Sequence, residues 1–229
     1  MYFDPTYILY MLPGLVLSLL ATAFVKSTFA KYSKVRCASG LTGAEAARAM
    51  LERNGITNVR IEHVNGFLSD HYDPGAKVLR LSDSVYGSNS LAAVGVACHE
   101  AGHALQDAEH YAAMGLRSAL VPAANLGSKF SYWVILAGFL LQMTNLIYVG
   151  CFLFGAAVLF SIVTLPVEWN ASSRAKVAMV RAGLLSNSER DAAGRVLNAA
   201  FLTYVAGAVS SLMTLLYYLS LARSRSSRR

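Results

Sequence analysis

The sequence predicts a multi-pass α-helical membrane protein that carries one small α+β domain outside the bilayer. Three observations predict it. Of 229 residues, 55% are hydrophobic and only 14% charged, against about 25% charged in an ordinary soluble domain. The apolar residues gather in long runs without charge, while residues 26–125 are polar enough to fold in water. The net charge of +7 comes from Lys and Arg that sit mostly beside the apolar runs. That placement marks membrane topology and contact with anionic headgroups rather than nucleic-acid binding. Cys37, Cys98 and Cys151 are too few and too scattered for a disulfide framework, which points to a reducing compartment.

Each element has its own justification. Residues 7–25 are free of charge and as a helix about 28 Å long, close to the ~30 Å of a hydrocarbon core. Only Asp4 among charged side chains precedes them, so the segment lacks the basic start of a signal peptide and reads as an uncleaved anchor. Lys26, Lys31, Lys34 and Arg36 follow, and the positive-inside rule places the chain from Lys26 onward in the cytoplasm. Thr42 and Glu45 form a capping box for a helix over 44–53, closed by Asn54-Gly55. Residues 59–72 and 77–82 are rich in alternating or β-branched positions, and Asp73-Pro74-Gly75 between them is a turn, so a β-hairpin is expected. Ser88-Asn89-Ser90 offers N-caps for a helix over 91–106.

Pro122 and Gly127 are expected to mark where the soluble part ends, and Lys129 can snorkel at the membrane entry. Residues 130–167 are charge-free and long enough for two crossings, with 142–145 as the polar turn. A helix over 169–182 follows. Residues 199–221 form the last apolar run, ended by Arg223, Arg225, Arg228 and Arg229. Four crossings set this basic tail on the outer side, against the charge rule; either the last run does not fully cross, or the stronger signal after the first span overrides that of the tail. The domain reading is an anchor over 1–25 and a cytoplasmic α+β domain over 26–125. A transmembrane hairpin over 126–167, a cytoplasmic helical segment over 168–198, and a last span with its tail over 199–229 complete it.

The helix over 91–106 carries His99-Glu100-Ala101-Gly102-His103, the HExxH pattern. Residues four apart share a helix face, so His99 and His103 can bind one metal through ring nitrogens at about 2.0–2.1 Å. Glu100, offset by one residue, falls beside the open coordination position. There it can take a proton from water as general base and later return it to a leaving amine.

A catalytic zinc of this kind needs a third protein ligand. One extended form of the motif requires Gly at 106 and His at 109, where this chain has Gln106 and Glu109, and His110 is out of register. Asp107 lies one turn past His103 and is a candidate to orient it, or else a solvated acid at a helix end. The stronger candidate for third ligand is Glu168, in LPVEWNA at the expected membrane exit, where a carboxylate needs a reason to be. A hairpin of two crossings returns the chain to the side it left, so Glu168 and His99 face one compartment. The alternative is that Glu168 caps the helix that follows it.

The segments TGAEAARAMLERNGI, VNGFLSDHYDP, VLRLS, GVACHEAGHALQD, TLPVEWNAS and VLNAAFLTYVA, in that order, resemble the neutral zinc metallopeptidases of bacterial membranes, the YugP-like family. The resemblance covers nearly the whole chain. It implies that the α+β domain is a zincin-like metallopeptidase domain with one Zn2+ per chain, in the bacterial cytoplasmic membrane with its site facing the cytoplasm. The Glu168 segment is also similar to the third-ligand helix of the Ste24/HtpX gluzincins, which read E-x-x-A-D and insert a membrane hairpin between their halves. Here the Asp is replaced by Ser172. The acid that steadies a ligand histidine in those proteins is therefore missing, with Asn170, Ser172 or Asp107 as substitutes.

His71 and Tyr72 are further candidates, as stabilisers of the oxyanion formed on a carbonyl, or as ordinary residues packing at a hairpin end. Cys98 reads as a small buried side chain, and Arg174 as a partner for an acid or a lipid phosphate. Peptide hydrolysis gains one physical support, since the strand over 77–82 is expected to present an edge to an extended substrate. The function expected is zinc-dependent endopeptidase action on membrane-associated or unfolded proteins, with membrane lipids around it and no nucleic acid. The alternative is a catalytically inactive metal-binding membrane scaffold, which gives no reason for the base at Glu100. A transporter is disfavoured because the apolar runs carry no acids or bases of the kind that line ion paths.

Overall fold

A computed structural model of the chain describes residues 5–66 and 68–226. Asp4 before the anchor and Arg228 and Arg229 of the basic tail lie outside the described residues. The elements run α1 (Pro5–Tyr32), α2 (Gly43–Arg53), β1 (Arg60–Val64), β2 (His71–Asp73), β3 (Val78–Ser82), α3 (Asp83–Tyr86), α4 (Leu91–Ala108), α5 (Ala112–Leu140), α6 (Thr144–Arg181) and α7 (Asn187–Ser226). Contacts divide the chain into two compact units. One comprises the described parts of Met1–Thr22, Gly115–Pro166 and Thr203–Arg229, and the other Ala23–Met114 and Val167–Leu202.

The first unit is helical. Thr6–Tyr32, Thr144–Arg181 and Asn187–Ser226 are the three described helices long and apolar enough to cross a membrane. α5 is of similar length, with Arg117, Asn125, Ser128, Lys129 and Ser131 among its apolar residues. Large apolar side chains such as Leu9, Leu19, Leu20, Trp133 and Phe152 face outward, the arrangement lipid demands. Polar contacts between helices include the Ser161 and Ser211 hydroxyls, 2.9 Å apart, those of Ser18 and Ser210 at 3.4 Å, and Arg225 Nη1, which donates to the Phe139 carbonyl at 3.3 Å.

Pro122 and Gly127, expected where the soluble part gives way to the membrane, lie inside α5, which runs on through both. A proline removes one backbone donor, and a helix of this length keeps the rest. Likewise no new helix starts at Trp169: α6 runs unbroken through Pro166 to Arg181, so Glu168 sits in mid-helix and caps nothing.

The second unit packs α4 at its centre. The capping box closes α2 as the sequence requires, Thr42 Oγ1 accepting from the Glu45 amide while the Glu45 carboxylate accepts from Thr42 N–H. Ser90 caps α4 by accepting from the Ala93 amide. Its alanines, among them Ala93, Ala97, Ala101 and Ala104, are buried, as are Ala46, Ala47 and Met50 of α2. Such small side chains allow close helix approach.

The sheet has the order β1-β3-β2, with β3 parallel to β1 and antiparallel to β2. The expected hairpin exists between β2 and β3. Asp73 Oδ1 accepts from the amides of Gly75 and Ala76, each at 3.0 Å, and so builds the turn. The single strand expected over 59–72, however, is two strands. The expected edge over 77–82 is the central strand instead, since the parallel pairing of β1, with Ile61 opposite Leu79, covers its other side. Val78, Leu79 and Leu81 are accordingly buried completely. The free edges belong to β1 and β2.

Candidate metal centre

His99 and His103 stand one turn apart on α4 with ring centroids 4.9 Å from one another. Glu168 of α6 is 1% exposed and points between them. Its Oε2 lies 3.2 Å from His99 Nε2 and 3.5 Å from His103 Nε2. These are the described His, Cys, Asp or Glu side chains that converge in a group of three, with ligand atoms all within 4.8 Å of each other. Ligands held at about 2.0–2.1 Å around a tetrahedral ion are separated by about 3.3 Å, so the two nitrogen–oxygen separations match a shared zinc. Two imidazoles and one carboxylate are also the donor types zinc takes in catalytic sites.

The outer nitrogens are tied back. Ser172 Oγ lies 3.1 Å from His99 Nδ1. Gln106, completely buried, sets its Oε1 3.0 Å from His103 Nδ1. Its amide nitrogen donates to the Val167 carbonyl at 2.8 Å and to Asn170 Oδ1 at 2.9 Å. Asn170 Oδ1 in turn accepts from Arg174 Nε at 2.6 Å, and Arg174 Nη1 donates to Glu109 Oε2. Burial pushes the His103 imidazolium toward losing its proton, but the hydrogen bond and charge of Glu168, the charge of Glu100 and the contact with Gln106 prevail and raise its pKa. Glu100 is nearly buried, at 8% exposure.

The other residues singled out from the sequence lie elsewhere. Asp107 does not orient His103. Its Oδ2 accepts from Tyr72 Oη at 2.6 Å and from Lys77 Nζ. Partial burial pushes the Asp107 carboxyl up, yet the hydrogen bonds from Lys77 and Tyr72 and the Lys77 charge hold it below its ordinary value. Burial and the same Asp107 contact push the Tyr72 hydroxyl above its ordinary range. His71 is exposed, with Nδ1 2.9 Å from the Ser69 carbonyl and Nε2 3.4 Å from Arg80. Neither ring belongs to the converging group. Cys98 is fully buried. Of the substitutes named for the missing acid, Ser172 lies against His99 and Asn170 lies behind His103 through Gln106, and Gln106 and Arg174 join them in the network. The signal for Gln106 was its spacing of three from His103, which puts both on one helix face.

Two histidines on one helix, joined by a glutamate from another, form a group that could hold a metal ion. The profile of the family described as "Putative neutral zinc metallopeptidase" matches residues 7–223, and the chain belongs to that family. It is 50% identical over 205 residues to "Putative membrane protease YugP" of Bacillus subtilis (strain 168), covering 90% of this chain and 91% of that one. No solved structure matches the chain.

Proposed function

We propose that the protein is a zinc-dependent endopeptidase that cleaves membrane-associated or unfolded chains at the cytoplasmic face of the bacterial membrane. The observation that carries this reading is the convergence of His99 Nε2 and His103 Nε2 on Glu168 Oε2, with Glu100 on the same helix. The Bacillus relative's printed name, a membrane protease, agrees with it.

His99, His103 and Glu168 would hold the ion and leave a fourth position open. Zinc, when bound there, supplies a Lewis acid that makes water a nucleophile near neutral pH and polarises a carbonyl. Glu100 takes the proton that water gives up as its oxygen attacks the carbonyl carbon, and returns it to the amine nitrogen when the C–N bond breaks. The extended substrate adds to the free edge of β2, the outer strand that also packs against α4.

Lys26, Lys31, Lys34 and Arg36 follow the first apolar run directly and favour the cytoplasmic side for the site. The test is metal content and peptide cleavage for the purified protein and its Glu100→Gln form. The ligands remain in the variant, so it retains zinc, while hydrolysis falls by about 10²–10⁴-fold. A variant that cleaves unfolded chains as fast as the parent removes Glu100 from the chemistry.

A further inference from the structure

We propose that Gln106 is the positioning residue that determines which nitrogen of His103 is offered to a metal. The inference rests on the zinc reading for its purpose, but its geometry stands without it. Both N–H groups of the Gln106 amide are spent, one on the Val167 carbonyl and one on Asn170 Oδ1. A backbone carbonyl only accepts. Asn170 Oδ1 is fixed as the oxygen by Arg174 Nε, which only donates. The amide therefore cannot turn over without setting its oxygen against two other oxygens inside the protein, where unmade hydrogen bonds are expensive.

With the nitrogen end of Gln106 committed, only Oε1 faces His103 Nδ1. An acceptor there requires a proton on Nδ1, which leaves the Nε2 lone pair directed at Glu168 Oε2. Two acceptors facing each other need a cation between them, either a proton or a metal ion. Gln106 thus builds half of the cation site from behind, without touching the cation.

His99 is held differently. Its Nδ1 meets the Ser172 hydroxyl, which can donate or accept and so selects no tautomer. The two ligand histidines are unequal in consequence. His103 is preset by a locked amide, and His99 adapts to what arrives.

The experiment uses the full-length chain in lipid nanodiscs with 15N-labelled histidine. Long-range proton–nitrogen spectra of the metal-free protein are recorded where the imidazoles are neutral, and zinc affinity is measured by competition with a chelator. The parent is expected to show His103 protonated on Nδ1 alone. Gln106→Met, close in volume, is expected to show both tautomers and to lose about 10–100-fold in zinc affinity, the range for residues that hold a ligand in place. Asn170→Asp keeps an oxygen for both Gln106 and Arg174 and should behave as the parent, whereas Asn170→Leu should shift partway toward Gln106→Met. Should Gln106→Met fail to fold, the contrast between the two Asn170 variants decides. An unchanged His103 tautomer in Gln106→Met, or indistinguishable Asn170 variants, overturns the proposal. A parent that binds no zinc overturns the zinc reading instead, and the tautomer spectra still decide the role of Gln106.

Discussion

A methyl group placed on Gly102 would stand 2.6 Å from the carbonyl oxygen of Ala171 and 3.2 Å from its carbonyl carbon. The glycine between the two histidines of α4 thus lies directly against the backbone of α6. Glu168 lies one turn before Ala171 on α6, so the same approach brings its carboxylate to the imidazoles. Gly102→Ala keeps every ligand but forces the helices apart. It should destabilise the protein by about 1–3 kcal/mol, the usual cost of overpacking, and weaken zinc binding at least about tenfold by displacing Glu168. Gly115→Ala, where nothing lies within 4 Å, serves as the control. Thermal unfolding and zinc titration of both variants check this, and parental zinc affinity in Gly102→Ala rejects it.

Glu168→Ala should weaken zinc binding as strongly as His103→Ala, and by more than the roughly 10–100-fold typical of residues that merely support a ligand. Glu109→Ala and His110→Ala should leave affinity near that of the parent, because Glu109 reaches the centre only through Arg174, Asn170 and Gln106. Ser172→Ala should cost less than Gln106→Met. Isothermal titration of the set separates the residues, and equal metal retention by Glu168→Ala and the parent removes Glu168 from the site.

The pairing of His99 with His103 was legible in the sequence because residues four apart share a helix face, and Glu168 stood out as the carboxylate that directly follows a charge-free run. The capping box at Thr42 and the turn at Asp73 were legible too, since each is built from side chains bonding to their own neighbourhood. What escaped depends on pairing at a distance. Nothing near residues 77–82 announces that β1 lies along β3, so the central strand looked like an edge. The role of Gln106 depends on Val167 and Asn170, contributed by another helix, and no spacing rule joins them. The separate helix expected over 169–182 is instead the end of α6, because a long helix can lose the one donor at Pro166 and continue.

The Tyr72–Asp107–Lys77 cluster gives the pH dependence a sign. The Asp107 carboxyl titrates below its ordinary value of 3.8 because Lys77 and Tyr72 favour its charged form over the penalty of burial. A depressed carboxyl contributes stability that is fully present above its unfolded value and is lost as the pH falls through the folded one. The Asp107→Asn variant should therefore lie below the parent by about 1 kcal/mol at neutral pH, reduced from the range for charged hydrogen bonds because Lys77 is half exposed. The gap should hold down to about pH 5 and close below it. Melting temperatures measured across that range test this, and a gap that widens in acid contradicts the assignment.

The final prediction concerns where substrates come from. Glu168 is the first charged residue after the apolar stretch of α6, which carries no charge from Thr144 to Val167. In the reading proposed above, Glu168 is a metal ligand that directly follows a membrane-crossing segment and emerges on the cytoplasmic side. A substrate anchored in the same bilayer is held near such a site at high effective concentration, whereas a soluble folded protein must diffuse to it and also unfold. The free edge of β2 asks for an extended chain, which disordered juxtamembrane segments provide and compact domains do not. One unfolded reporter sequence, presented either on a membrane anchor or free in solution, should be cleaved faster when anchored, by about 10²-fold or more at equal bulk concentration. Reconstituted vesicles with the reporter confined to one side or the other complete the test. Equal rates for anchored and free reporter reject selection at the membrane, and cleavage confined to the side opposite the Lys26–Arg36 segment reverses the orientation proposed for the site.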